Sequence, residues 1–316
     1  MEYKINASDH GRSVLEFARS TAGLSAATLR HLKFTEGGIT VDGKHVTVRH
    51  ILTEGERLSL AFEDTEPQEC VLPVDLPLSL IYEDSELAVP DKPSDMPTHP
   101  SHGHREDTVA NALAYRYASL GIPFVFRPIN RLDRNTSGLL MVARNRRAAA
   151  TLSEAMRRGE IRKQYLAILD GTLPKEEGEI ETHLRRTADS VILREVCSEG
   201  EGGDYALTRY RVLVSDGRHT LCLASPVTGR THQLRVHFAS LGAPILGDDL
   251  YGKESPLIAR HALHAVSLVF PHPTDRRKIR LTAPLHGDMR AALSALFSEE
   301  LLARGAEECE KIQIPL

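Results

Sequence analysis

At 316 residues with 41% hydrophobic side chains, the chain is long enough for about two domains, each with its own core. It has no apolar window of about 18 residues, so no membrane-spanning helix is expected. The first six residues lack the apolar core of a signal peptide. The net charge of −4 argues against a surface basic all over, but a sum hides local patches. Residues 127–163 carry ten Lys/Arg against three Asp/Glu, a local excess of +7, while acids collect at 176–181 and 299–310. One basic face suits RNA; a solvated helix face is the competing reading. Cys70, Cys197, Cys222 and Cys309 lack metal-type spacing and read as reduced thiols of a cytoplasmic protein.

Residues 1–65 form a small module. Val14, Leu15, Phe17 and Ala18 suit an amphipathic helix; Ser25 caps a second, with Leu29 and Leu32 inward. Residues 39–41 and 45–48 read as a hairpin about the Asp42-Gly43 turn, and 58–62 as a further strand. The proline-bearing stretch 66–77 reads as a linker, leaving 78–316 as the larger domain. There, strands are expected near 80–82 and 86–89, then a helix over 108–120 capped by Asp107. A buried strand follows at 139–143. Asn145 then caps a helix with Ala148, Leu152, Ala155 and Met156 inward, closed by Gly159.

The strand predicted at 161–169 places Lys163 and Tyr165 on one face. Further strands fall near 179–185, 190–197, 205–215, 219–225, 263–270 and 278–282. A short helix covers 231–241, with Leu234, Phe238 and Leu241 inward, and a terminal helix covers 289–304. Many strands with few inserted helices indicate an α+β fold with a mostly antiparallel mixed sheet and flanking helices. Gly200 to Gly203 is a turn rather than a phosphate cradle. His99, His102 and His104 form a loop cluster with no cysteine or obvious carboxylate to complete a metal set.

The most informative stretch is Asn130-Arg131-Leu132-Asp133-Arg134-Asn135-Thr136-Ser137-Gly138-Leu139. It sets a carboxylate between two arginines on a loop that leads into a core strand. Guanidinium groups favour the ionised carboxylate, and an ionised aspartate on a rigid support is a reasonable nucleophile. A surface ion pair is the plain alternative.

This motif, with Arg162-Lys163-Gln164-Tyr165-Leu166-Ala167 and Gly229-Arg230-Thr231-His232-Gln233-Leu234-Arg235-Val236-His237, resembles the RluA-type pseudouridine synthases. The likeness spans about 78 to 285, including Leu246-Gly247-Asp248 and Tyr251-Gly252. The helix–helix–hairpin module resembles, more weakly, an RNA-binding module of a small-subunit ribosomal protein. Its eight Lys/Arg against nine Asp/Glu give it no basic excess.

The resemblance implies an isomerase that detaches uracil from ribose and rejoins it through carbon-5 in ribosomal or transfer RNA. No oxidation occurs, so no cofactor, nucleotide or metal is expected; the partner is RNA, and the chain is expected to be monomeric. Asp133 would be the nucleophile or charge stabiliser and Tyr165 a proton acceptor beside the base. Arg230 would pair with and orient Asp133. Arg131 would fill the gap left by the flipped uridine. Arg134, Lys163, Gln233 and Arg235 would contact RNA. Two departures stand out: Asn130 where the family pattern has histidine, and Val89-Pro90-Asp91-Lys92-Pro93 where relatives run into Asn-Lys-Pro. The competing readings are a non-catalytic RNA-binding protein with the same fold and a glycosidic hydrolase, which needs a second carboxylate.

Overall fold

The computed structural model describes residues 2–22, 24, 29, 32–34, 37–61, 71–311 and 313–314. The N-terminal sheet contains β1 (Glu2–Lys4), β2 (Ile39–Val41), β3 (Lys44–His45) and β4 (Arg57–Leu60), ordered β1-β4-β2-β3 and antiparallel throughout. The β2–β3 turn places Asp42 and Gly43 at φ 48° and 77°, the left-handed pair that a tight hairpin requires. Helix Val14–Ser20 begins with a capping box: the Glu16 amide donates to Ser13 Oγ, and the Ser13 amide to Glu16 Oε2. Val14, Phe17 and Ala18 pack on Ile5, Leu52 and the strands. β1 was not foreseen, and β3 leaves the ladder after His45. The second predicted helix falls largely outside the described residues, although Leu29 and Leu32 are buried as expected.

The main sheet has twelve strands among the described residues. In chain order they are β5 (Ser79–Glu83), β6 (Leu87–Lys92), β7 (Arg127–Pro128), β8 (Ser137–Leu139), β9 (Val142–Ala143), β10 (Arg162–Asp170), β11 (Glu177–Arg186), β12 (Arg194–Cys197), β13 (Asp204–Ser215), β14 (His219–Pro226), β15 (Leu263–Pro271) and β16 (Lys278–Thr282). Their order is β12-β11-β13-β14-β10-β15-β8-β6-β9-β7, with β16 on β15 and β5 on β6. Only the β8–β15 pairing is parallel.

Period-2 alternation splits the apolar side chains between two cores. Leu139, Met141 and Ala143 face helix Arg146–Arg157 with Leu87, Val89 and Phe270. Leu140 and Val142 face the opposite core, with Leu113, Leu166, Phe238 and Met289. The expected single strand at 139–143 is therefore two short strands about the Leu140–Met141 step. At Gly138, φ is +101° and an added Cβ would lie 2.3 Å from the Ala265 carbonyl oxygen, so β8 meets β15 this closely only without a side chain.

Local readings needed correction where capping or packing overrode the pattern. Thr108, not Asp107, caps helix Val109–Ser119; Asp107 pairs with His104 at 2.5 Å. Leu241 is exposed because helix Gln233–Ser240 has already ended. The terminal helix is two, Gly287–Leu296 and Glu299–Lys311, parted by extended Phe297. Within the expected linker, Val71 is buried, and the Val74 amide bonds the Asn111 carbonyl.

Two buried histidines make the fold sensitive to acid. His237 is sealed between Thr182 and Thr208, and burial pushes it down to about 4. His261 is pushed down to about 3, mainly by burial and next by Arg235. An unfolded histidine titrates near 6.5. Between these values the unfolded chain binds protons that the folded chain refuses. Their contribution is thus complete above about pH 6.5 and lost as pH falls. The unfolding free energy, read from urea titrations, is expected to be nearly flat from pH 8 to 7 and to drop by on the order of 3 kcal/mol by pH 5. A His237→Gln variant should have a shallower slope.

Candidate active site

The loop between β7 and β8 is tied down residue by residue. Asn130 Oδ1 accepts the Met141 amide at 2.9 Å. Thr98 Oγ1 donates to the Leu132 carbonyl at 2.9 Å. Lys92 Nζ donates to the carbonyls of Arg134, Pro93 and Met96, each at 2.8 Å. Arg260 holds the Asn135 carbonyl, His261 bonds Thr136, and His264 bonds Ser137. Burial pushes the Lys92 amine down to about 7, and Arg260 adds to that shift, while the charges of Asp133 and Asp95 act against it. The sequence showed Lys92 only as an irregular strand end, so its anchoring of the loop went unread.

This framework sets Asp133 on the wall of a cavity of about 900 Å³, which is also bordered by Arg131, Arg134, Lys163, Tyr165, Arg230, Gln233 and Arg235. All eight residues singled out in the sequence therefore converge on one place, although several are arranged differently from expectation.

Arg230 does not meet Asp133. Its guanidinium donates to the Tyr205 carbonyl at 2.9 Å, lies 3.8 Å from Asp204, and is 41% exposed. The guanidinium beside Asp133 belongs to Arg235, whose NH1 lies 3.8 Å from Asp133 Oδ2. Arg235 was expected at the RNA surface, yet its side chain is 5% exposed. It grips Asp248, which is fully buried, through Nε at 2.7 Å and NH2 at 2.6 Å. Its planar end also lies 5.2 Å over the Tyr251 ring. Burial acts to raise the Asp248 pKa, but the Arg235 bonds and charge outweigh it and keep the carboxyl below its usual range. The helical spacing explains the swap: Gln233–Ser240 begins after Arg230, so Arg235 is the arginine carried on the rigid element.

Neither arginine flanking Asp133 is ion-paired with it. Arg134 pairs with Asp95, and Arg131 is exposed at the cavity rim near His99. Gln233 is buried rather than presented to RNA. It accepts the Arg230 amide and the Thr228 hydroxyl and donates to Leu207 and Thr208, so it fixes the turn 228–230. Lys163 does line the cavity, with its amine pushed down by burial.

Tyr165 is buried in the cavity wall. Burial first, and the Asp133 charge second, raise its hydroxyl pKa, so it enters a reaction protonated rather than as phenolate. His232, quoted in the motif but given no role, lies 3.9 Å from Asp133 Oδ2 in a left-handed conformation. Burial lowers its pKa against the pull of Asp133. The Tyr251 hydroxyl accepts the Arg194 amide at 2.9 Å and can donate to His232 Nδ1 at 2.9 Å, leaving Nε2–H facing Asp133.

One carboxylate thus lies beside a guanidinium and an imidazole, with a phenol in the same cavity walls, a set able to stabilise developing positive charge and to hold or move a proton at a bound molecule. Residues 86–240 match the RNA pseudouridylate synthase family. The chain is 35% identical over 277 residues to the uncharacterized RNA pseudouridine synthase YjbO of Bacillus subtilis, covering 88% of this chain and 96% of that one. It is 34% identical over 288 residues to ribosomal large subunit pseudouridine synthase D of Xanthomonas campestris, covering 86% and 84%. The solved human RNA pseudouridylate synthase domain containing 1 shares 30% identity and a TM-score of 0.55, covering 72% of this chain and 94% of that one. The chain belongs to the RluA-type RNA pseudouridine synthases.

Proposed function

We propose that this synthase acts on uridines of large-subunit ribosomal RNA, with Asp133 as the group that meets the anomeric carbon. The observation carrying the site assignment is the Asp133 carboxylate on the cavity wall, 3.8 Å from a guanidinium that a second, buried carboxylate holds in place. The names of relatives such as the Xanthomonas enzyme support the RNA class. Arg131, exposed at the rim, takes the space left when the uridine swings out; Lys163 and Arg134 attract the backbone. Tyr165 packs against the detached uracil and keeps its hydroxyl at the base. Asp133 assists departure of the base, and the enclosed walls hold it while it turns. Carbon-5 then bonds to the anomeric carbon in place of nitrogen-1; the carbon-5 proton passes to solvent, and nitrogen-1, freed from the sugar, takes up a proton. The bonds broken and formed balance without any redox partner, so the reaction is assigned no cofactor. A cytoplasmic monomer goes with this reading; no described helix is long and apolar enough to cross a membrane.

The test is release of tritium from uracil carbon-5 in transcripts of large-subunit ribosomal RNA and of transfer RNAs. Release from the former, with no free uracil formed, is the expected result. Release from transfer RNA alone would reassign the substrate, and free uracil would replace isomerisation by hydrolysis.

A further inference from the structure

On the sheet behind the catalytic loop, three side chains form a separate cluster. Asp91 on β6, His264 on β15 and His286 at the start of helix Gly287–Leu296 each bring one ligand atom within 4.8 Å of the others. His286 Nε2 and Asp91 Oδ1 are 3.0 Å apart, and the two imidazole centroids are 5.1 Å apart. A His–Asp hydrogen bond alone explains the first pair, but not the third member. His264 is fully buried, its Nδ1 is taken by Ser137 Oγ at 2.9 Å, and its Nε2 has no hydrogen-bond partner. The Ala283 carbonyl acts on that ring only from outside hydrogen-bond geometry. A buried, unpaired ring nitrogen beside a second imidazole and a carboxylate is a donor set waiting for a Lewis acid.

We propose that Asp91, His264 and His286 form a binding site for a zinc-like divalent cation, distinct from the uridine cavity. Two nitrogens and one oxygen suit zinc rather than magnesium or calcium, which demand more oxygen ligands. Metal–ligand bonds of about 2.0–2.1 Å need the ligand atoms roughly 3.3 Å apart. The Asp91–His286 pair is already that close, and His286, at a partly exposed helix start, supplies the remaining closure. Ser137 plays the supporting role that metal-bound imidazoles require, accepting Nδ1–H while Nε2 takes the cation. Arg260, the neighbouring positive charge, is matched by Asp288 at 2.7 Å, so the Asp91 charge is left for the metal. Water fills the fourth position from the exposed side. Because Ser137 opens β8, an occupied site would anchor the strand that carries the catalytic loop.

The test uses the full chain, stripped with a chelator and then titrated with zinc by calorimetry, with thermal unfolding read in parallel. One equivalent and a rising Tm are expected, with magnesium and calcium inert. Asp91→Asn and His286→Gln, both on the accessible side, should each weaken zinc binding about tenfold or more. A variant with His102 and His104 changed to alanine should bind like the parent. No zinc binding by the parent, or binding undiminished in both site variants, overturns the proposal. So does binding lost only in the loop variant.

Discussion

Replacing Asp133 by asparagine is expected to lower tritium release by about 10³-fold or more while leaving the fold intact. The two halves of that outcome have separate causes. Asparagine has nearly the shape of aspartate, and the loop hangs on Lys92, Thr98, Arg260 and His261 rather than on the Asp133 side chain. Arg235 keeps its two bonds to Asp248, so no buried charge is stranded. The side chain is 30% exposed, so stability should move by less than about 1 kcal/mol. Asparagine, however, cannot carry the negative charge that the proposed mechanism brings to the anomeric carbon. RNA affinity should hold or rise, since a negative group leaves a site that receives phosphates. Turnover within tenfold of the parent, in single-turnover assays with RNA bound, would remove Asp133 from the centre of the mechanism.

Arg235→Met should be the most destabilising change at the site. It leaves Asp248, with no exposed surface, charged and short of its two strongest bonds. Breaking such a pair costs about 3–5 kcal/mol, read as a lower urea midpoint. The Leu250 and Tyr251 amides still bond Asp248 and soften the loss. The double variant Arg235→Met, Asp248→Leu separates structure from positioning. It should recover much of the stability but not the activity, because Asp133 would still lack its guanidinium. Arg230→Ala, made at an exposed ion pair, should cost less than about 1 kcal/mol. If Arg230→Ala proved the worse of the two, the pairing seen in the structure would not be the one that matters.

That contrast shows where the sequence could be read. The α+β class, the Asp-Gly hairpin and the Asn145-capped helix follow from local chemistry, and the structure has them. That the eight residues would lie around one cavity was legible because the three motifs that carry the family resemblance contain them all. Their pairings were not. Whether Arg230 or Arg235 reaches Asp133 depends on where a helix begins, and two arginines five residues apart look alike until that start is fixed. Gln233 reads as a polar surface group until its four bonds are seen, two to the turn 228–230 and two to the neighbouring strand at Leu207 and Thr208. His232 depends on a left-handed backbone that no side-chain pattern announces. Lys92 shows its importance only through three carbonyls, two of them within four residues and one 42 residues away.

The multiply tethered loop has a consequence for which uridines this enzyme can choose. A carboxylate carried on a loop held from so many directions has little freedom to follow its target, so the nucleic acid must do the bending. Discrimination is then exercised through the ease with which a nucleotide abandons its neighbours: sites at bulges, mismatches and loop closures come across cheaply, and those in uninterrupted helices do not. A stiff catalyst of this kind reads the pliancy of its partner before it reads any letter.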